Sequence, residues 1–302
     1  MAYALLFPGQ GSQYVGMGRA AYEASPAVRA IYEEADALLG YAVSALCFSG
    51  PAEDLNRTRF TQPALFTTSI AMWAAHRASL AEPPACVAGH SLGEYAALVA
   101  AEVLPFAQAL RIVAERGRLM DEAGEETPGM MAALIGATLE QAERLCAAVR
   151  EATGDVLVVA NDNCPGQVVI SGTQAAIQAA SARAGEFGLR RVMPLKVSIA
   201  GHSPLMEPAR QKLAAFLEGV TFQVPRLPVV FNATAAPVSD PDKIRELVLY
   251  QLTRPVWWRD SLLWMAGQGL ACFVECGPKD VLTGLVKRTL PEAEAFTLDA
   301  TA

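Results

Sequence analysis

Residues 85–98, Ala-Cys-Val-Ala-Gly-His-Ser-Leu-Gly-Glu-Tyr-Ala-Ala-Leu, join a short apolar run to a stretch that is typical of a helix. Between the two, Gly89–Gly93 fits the Gly-x-Ser-x-Gly pattern. That pattern requires a strand before it and a helix after it, because the sharp turn between them exposes the serine hydroxyl. The sequence therefore predicts a strand–turn–helix unit with Ser91 as a candidate nucleophile. The alternative is a chance glycine–serine turn.

On both sides of this unit, short apolar runs alternate with longer amphipathic stretches, which predicts an α/β fold with a mainly parallel sheet. A middle segment instead follows the order β-α-β-β-α-β, which is the order of a ferredoxin-like unit. We therefore expect a hydrolase-like large domain formed by residues 1–125 and 198–302, with an inserted ferredoxin-like small domain at 126–197. One helix is expected over Ala20–Leu39 and another over Phe106–Glu122.

The composition is that of an ordinary globular protein, with 52% hydrophobic and 18% charged residues among 302 and a formal net charge of -7. This acidic balance argues against nucleic-acid binding, which usually requires a basic face. No uncharged apolar run reaches the ~18 residues of a membrane span. The amino-terminal sequence lacks the basic and long apolar segments of a signal peptide. We expect a monomer without nucleic-acid or membrane partners.

Cysteine and histidine are too scattered to indicate a metal site. None of the six cysteines forms a Cys-x-x-Cys pair, and free thiols in a reducing cytosol are the expected state. The three histidines, His76, His90 and His202, form no zinc-binding pattern. We therefore expect a cytoplasmic protein that needs neither a metal nor a bound cofactor.

A serine nucleophile needs a base, and the three histidines are the candidates. His90 adjoins Ser91 on the turn, so its side chain should point away from the hydroxyl. His76 lies near polar residues of a helical stretch, which is typical of a surface position. His202 is the best candidate by elimination, although a loop histidine taken alone is more often merely solvated. Hydrolases with this turn place an acid between the serine and a late histidine; no such acid is obvious here, which counts against a standard α/β-hydrolase.

Arg116 is the next candidate functional residue. It lies about 60° from Val113 around the predicted Phe106–Glu122 helix, at the edge of the apolar stripe. A guanidinium on a buried face needs a carboxylate partner. Two alternatives remain open: a structural ion pair with an internal Asp or Glu, or a two-pronged contact with a substrate carboxylate.

Motifs along nearly the whole chain follow one pattern: Phe7–Gln13, Thr61–Ala64, Gly89–Tyr95, Arg116-Gly117, Ser171-Gly172, Gly201–Ser203, Gln251, Pro255-Val256 and Gly277–Leu285. Together they resemble the malonyl-CoA:acyl carrier protein transacylase family, whose motifs are shared by trans-acting acyltransferases of polyketide synthases. The resemblance implies Ser91 as nucleophile, His202 as base and the backbone N–H groups of Gln10 and Leu92 as oxyanion donors.

The resemblance also implies a substrate-binding set. Arg116 would bind the free carboxylate of a malonyl group, and the backbone carbonyl at Gln251 would orient the histidine in place of an acid. The remaining members of the implied set are Gln62, Asn161 and Gly201. Many malonyl-specific members carry Phe or Ser before the histidine, so Gly201 predicts measurable use of methylmalonyl-CoA.

The implied reaction moves a malonyl group from CoA to the phosphopantetheine thiol of acyl carrier protein through an acyl-serine intermediate, in fatty acid or polyketide synthesis. One alternative is an acyl-thioester hydrolase, which would need no carboxylate clamp. The other is a non-catalytic carrier-protein docking module, which would not need both Ser91 and His202. Candidate contacts for an acidic carrier protein are Lys279, Lys287, Arg288, Arg190 and Arg191.

Overall fold

A computed structural model describes residues 2–77 and 82–298, and the structural statements below concern these residues. In chain order its elements are β1 Ala4–Phe7, α1 Arg19–Ala24, α2 Pro26–Leu39, α3 Val43–Ser49, α4 Ala52–Leu55, α5 Thr58–His76, β2 Cys86–Gly89, α6 Gly93–Ala100, α7 Phe106–Glu126, β3 Gly129–Ile135, α8 Leu139–Thr153, β4 Leu157–Cys164, β5 Gln167–Thr173, α9 Gln174–Arg183, β6 Arg191–Pro194, α10 Glu207–Leu217, β7 Val229–Phe231, β8 Ala236–Pro237, α11 Pro241–Tyr250, α12 Trp258–Gly267, β9 Cys272–Cys276, α13 Val281–Thr289 and β10 Glu294–Leu298. Short 3₁₀ turns lie at Ala184–Phe187 and Pro204–Met206. None of the helices in the described ranges is long and apolar enough to cross a membrane.

The large sheet has the order β10-β9-β1-β2-β7-β8 and is parallel except for the hairpin between β7 and β8. Its central strand β1 is buried on both faces, since successive side chains of a strand point to opposite sides. Leu5 and Phe7 join the core formed with α5 and α7, whereas Ala4 and Leu6 join the core formed with α12 and α13. This arrangement confirms the predicted α/β class.

The small sheet has the order β4-β5-β3-β6, and all its neighbouring strands are antiparallel. Helices α8 and α9 pack on one face and form a separate core with it. The other face carries a small apolar cluster that includes Met131, Ala133 and Val169. The predicted ferredoxin-like unit is therefore confirmed, and the face that carries this apolar cluster lines a cavity.

Two predicted helices differ from the structure. The single helix over Ala20–Leu39 is wrong, because the chain is extended at Ser25, whose hydroxyl accepts the Val28 N–H and caps a new helix that begins at Pro26. The helix that begins at Phe106 continues to Glu126, past the expected end of the first large-domain segment at residue 125. The numerical boundaries at 126 and 197 stay predictions.

Candidate active site

Ser91 occupies a tight turn between β2 and α6. Its φ of 50° lies in the left-handed region that few non-glycine residues adopt. The flanking glycines permit the close packing of this turn: a Cβ on Gly89 would lie 1.9 Å from the carbonyl carbon of Gly93, and one on Gly93 would lie 2.1 Å from the Phe7 carbonyl oxygen. The turn thus presents the Ser91 hydroxyl at the carboxyl end of the central strands.

His202 faces Ser91 from the segment between the small sheet and α10. The Ser91 Oγ lies 2.8 Å from His202 Nε2. On the other side of the ring, Nδ1 lies 2.8 Å from the Gln251 carbonyl oxygen and 3.2 Å from that of Arg254. Carbonyls only accept, so Nδ1 carries the hydrogen and Nε2 is the acceptor in the neutral ring. Burial, followed by the charge of Arg116, lowers the pKa of His202 to about 3.

Arg116 is buried beside this pair, with only 1% of its surface exposed. Its Nη1 donates to Gln62 Oε1 at 2.6 Å, and its Nη2 donates to Gln251 Oε1 at 2.9 Å and reaches Ser91 Oγ at 3.4 Å. Among the described residues, no Asp or Glu forms an ion pair with Arg116. The structural ion pair left open by the sequence is therefore not formed.

A cavity of about 240 Å³ lies between the two sheets. Eight of the predicted site residues line it, namely Ser91, His202, Gln10, Leu92, Arg116, Gln62, Asn161 and Gly201. Outside the helices and strands of the described residues, neither the Gln10 N–H nor the Leu92 N–H donates a hydrogen bond to a backbone carbonyl. Their role as oxyanion donors beside Ser91 stays a prediction.

Gln251 lies behind the cavity wall, and its predicted part in substrate binding stays a prediction. This residue is 1% exposed and does not line the cavity, because its side chain is fully engaged by protein groups. It accepts from Arg116, and its Nε2 donates to the Ser91 carbonyl oxygen at 3.0 Å and to Glu94 Oε1 at 2.8 Å. Its backbone carbonyl faces His202, which is where the family resemblance placed it.

The small sheet contributes the opposite wall of the cavity. Asn161 lies on β4 and lines the cavity, while Asn163 Oδ1 lies 2.8 Å from His90 Nε2. His90 therefore points away from Ser91, as its neighbouring position on the turn predicts. A Cβ on Gly201 would meet Met120 and Met131 at 3.6 Å, which is ordinary contact, so this position has room for a side chain.

Two polar residues of the site escaped the sequence predictions. Glu94 is 1% exposed, and burial raises its pKa to about 8 against the opposing hydrogen bonds from Asn232 and Gln251 and the charge of Arg116. A carboxylate at the start of the otherwise apolar α6 was a usable signal for this residue. Asn232, also 1% exposed, follows β7 in a stretch without any recognisable motif.

Two of the predicted docking cations form hydrogen bonds within the protein, and the other three are exposed. Lys279 Nζ donates to the Gly11 carbonyl oxygen at 3.0 Å, and Arg288 donates to Gln167 Oε1 at 2.7 Å, so both are engaged near the cavity rim. Lys287, Arg190 and Arg191 are exposed. The strand register aligns Arg191 with Ile135, and Ile135 with Gln167. Because neighbouring strands are about 4.8 Å apart, Arg191 and Arg288 lie at the same end of the small sheet.

The α/β fold, with a serine–histidine pair and an unpaired buried arginine around one cavity, defines the class of acyl-transferring enzymes. The sequence profile of the family described as "Acyl transferase domain" matches residues 4–300. The chain belongs to this family. Its similarity to curated relatives places it among the malonyl CoA-acyl carrier protein transacylases.

The relatives match nearly the full chain. The malonyl CoA-acyl carrier protein transacylase of Escherichia coli (strain K12) is 45% identical over 297 residues, covering 98% of this chain and 96% of its own. That of Bacillus subtilis (strain 168) is 43% identical and covers 94% and 89%. A malonyl-transacylase solved in complex with a type II PKS acyl-carrier protein is similar in structure, with a TM-score of 0.95, 41% identity and coverage of 99% and 96%.

Proposed function

We propose that this chain transfers a malonyl group from CoA to the phosphopantetheine thiol of acyl carrier protein, in fatty acid or polyketide synthesis. The observation that carries this proposal is the buried Arg116 without a carboxylate partner, 3.4 Å from the hydroxyl of Ser91. A buried guanidinium whose hydrogen-bond acceptors are neutral amide and hydroxyl oxygens is suited to an anionic ligand. The free carboxylate of malonyl supplies that anion at the distance of one acyl group from the nucleophile.

Acylation begins when Ser91 Oγ attacks the thioester carbonyl of malonyl-CoA and His202 Nε2 takes the hydroxyl proton. The negative charge that develops on the carbonyl oxygen accepts hydrogen bonds from the Gln10 and Leu92 N–H groups. As the carbon–sulfur bond breaks, His202 returns the proton to the departing CoA sulfur, so the products are malonyl-Ser91 and CoA thiol.

Transfer to the carrier protein repeats these steps in reverse. The phosphopantetheine thiol gives its proton to His202 and attacks the ester carbonyl of malonyl-Ser91. The ester bond to Oγ then breaks and His202 protonates the serine oxygen, which regenerates the starting pair. The Gln251 carbonyl at Nδ1 holds the imidazole in the tautomer that both halves require.

Two alternatives predict different products. An acyl-thioester hydrolase would use the same pair but has no need of Arg116, and a docking module has no need of a 2.8 Å contact between Ser91 and His202. Intact-mass spectrometry after mixing the protein with malonyl-CoA separates the three. A malonyl adduct that mixing with carrier protein discharges supports transfer, rapid release of malonate supports hydrolysis, and no adduct supports docking alone.

We also propose that the protein is cytoplasmic and needs neither a metal nor a bound cofactor. The described reaction uses side chains and main-chain N–H groups of this chain, so we include no metal or bound cofactor in it. All six cysteines are free and buried, which is the state expected of a cytoplasmic protein.

Replacement of Arg116 by alanine should shift the preference among acyl groups. A charge-assisted, two-pronged contact contributes about 1.5–3 kcal/mol, so the wild type should prefer malonyl over acetyl by roughly 10–100-fold or more. Arg116→Ala should lose malonyl transfer and gain relative activity on acetyl-CoA. Arg116→Lys should restore only part of the preference, because an ammonium cannot reproduce the planar fork. The measurement is kcat/KM for both substrates.

Arg111→Ala is the matched control, because Arg111 lies on the same helix but is exposed. It should keep the wild-type preference. An Arg116→Ala enzyme with an unchanged malonyl-to-acetyl ratio would show that the carboxylate binds elsewhere.

The same assay with methylmalonyl-CoA tests Gly201: the wild type should use this substrate measurably, and Gly201→Phe should suppress that use by filling the space beside Met120 and Met131.

Reversal of exposed positive charges near the small sheet should weaken carrier-protein binding. For the acidic carrier protein that the family resemblance implies, Lys287→Glu and Arg191→Glu should each raise the apparent KM for carrier protein and reduce its salt dependence. Arg288 is excluded from this test because its replacement also removes the hydrogen bond to Gln167. Lys243→Glu, at an exposed position on α11, is the control of equal charge change. A change confined to the KM for malonyl-CoA would contradict the assignment of this surface.

A further inference from the structure

Glu94 lies three residues after Ser91, in the first turn of α6, and is buried without lining the cavity. Both of its carboxylate oxygens accept hydrogen bonds. The Asn232 N–H donates to Oε2 at 2.7 Å, and Gln251 Nε2 donates to Oε1 at 2.8 Å. One buried carboxylate thus connects two segments that are distant in sequence from the serine turn.

The first connection supports the serine turn. The Asn232 side chain accepts the Ser91 N–H at Oδ1, at 2.6 Å, and donates from Nδ2 to the Gly89 carbonyl oxygen, also at 2.6 Å. Asn232 therefore holds both sides of the turn in which Ser91 adopts its left-handed conformation. Glu94 fixes the backbone of Asn232, from which these two contacts extend.

The second connection supports the arginine and the histidine. Gln251 Oε1 accepts from Arg116 Nη2, and the Gln251 backbone carbonyl faces His202 Nδ1. An amide can present its oxygen to Arg116 only if its NH₂ group points the other way, where an acceptor must receive it. Glu94 Oε1 is that acceptor, together with the Ser91 carbonyl oxygen.

The separation between Glu94 and Arg116 also has an electrostatic role. A carboxylate in direct contact would neutralise the guanidinium and occupy the fork that a substrate needs. Glu94 instead lies one amide group away, beyond the Gln251 side chain, which leaves the guanidinium open toward the cavity.

We propose that Glu94 is a positioning residue that sets the discrimination between malonyl and neutral acyl groups, by holding Gln251 so that Arg116 faces the cavity unpaired. This inference rests on the proposed malonyl transfer. It assigns to Glu94 two effects of different kind: support of the Ser91 turn, which every acyl group uses, and alignment of Arg116, which only a carboxylate-bearing acyl group uses.

Glu94→Gln is the variant that tests this role, because it keeps the shape of the side chain. It replaces one acceptor oxygen with an NH₂ group, which must then face one of two donors, the Asn232 N–H or Gln251 Nε2. Single-turnover acylation of Ser91 is followed by mass spectrometry with malonyl-CoA and acetyl-CoA, in wild type, Glu94→Gln, Arg116→Ala and the double variant. We expect the rate of malonyl acylation to fall roughly 100-fold, which is the effect of a small misalignment, and the rate of acetyl acylation to fall only about 10-fold. In the Arg116→Ala background, Glu94→Gln should leave the malonyl-to-acetyl ratio unchanged, because the two residues act on one contact.

The outcomes separate this inference from the function on which it rests. Absence of a malonyl adduct on the wild type would overturn the proposed transfer itself. If the wild type acylates normally and the malonyl-to-acetyl ratio of Glu94→Gln lies within twofold of the wild-type ratio, the positioning role is overturned and Glu94 contributes only to folding. Asp36→Asn is the matched control, because Asp36 also accepts two hydrogen bonds, from Ser44, but lies outside the cavity. It should lower thermal stability without changing the ratio.

Discussion

Ser91→Ala should abolish formation of the acyl-enzyme while the chain stays folded. The substitution removes the hydroxyl oxygen that lies 2.8 Å from His202 Nε2 and keeps the hydrogen bond from the Ser91 N–H to Asn232 Oδ1. A hydroxyl at the surface of a cavity contributes little to stability, within about 0.5 kcal/mol. Intact-mass spectrometry with malonyl-CoA and a thermal unfolding curve measure the two expectations.

Ser181→Ala, at an exposed position on α9, is the control for this experiment. It should acquire the malonyl adduct at the wild-type rate. A Ser91→Ala protein that still acquires the adduct, or still transfers malonyl to carrier protein at the normal rate, would place the nucleophile on another residue.

His202→Ala should slow acylation by roughly 10²–10⁴-fold, which is the usual contribution of a positioned base. Unlike Ser91→Ala, this variant keeps the nucleophile, so the adduct should form completely at long times. The time course of the adduct by rapid quenching and mass spectrometry distinguishes the two. His76→Ala, on α5 and outside the cavity, serves as the histidine control.

Normal turnover in His202→Ala would remove the histidine from the mechanism. His90 would then be the remaining histidine at the cavity, but its Nε2 is engaged with Asn163 at 2.8 Å. The double variant His90→Ala/His202→Ala would decide whether it substitutes as the base.

The predictions from sequence succeeded where the signal is local. The turn at Ser91 is encoded by five adjacent residues and their flanking elements, and the ferredoxin-like order is encoded by the alternation of short and long apolar patterns. The break between α1 and α2 was missed although its signal is local too: Ser25 followed by Pro26 is a helix-start signal that outweighs the continuous apolar pattern of Ala20–Leu39. The continuation of α7 to Glu126 was missed because its last turn is polar and contains Gly124, which packs closely against the Ser198 carbonyl oxygen.

The support of the site could not be predicted in the same way, because it depends on contacts between remote segments. Glu94 meets Asn232 across 138 residues and Gln251 across 157. The identity of an amide residue does not show which of its two ends faces a donor, so the side-chain role of Gln251 emerges only when Arg116 and Glu94 are placed on either side of it. Periodicity did place Arg116 at the edge of a buried stripe, yet only the folded chain shows that its partners are neutral.

The missing carboxylate partner of Arg116 also affects the timing of proton transfer. Burial, and after it the positive charge of Arg116, disfavours a proton on His202 and lowers its pKa. A malonyl carboxylate at Arg116 offsets that charge, so the proton affinity of the histidine rises once the correct acyl group is seated. We expect an acyl group without a carboxylate to leave the histidine a weak base. We therefore expect selection among acyl groups to act on the rate of acylation as well as on affinity.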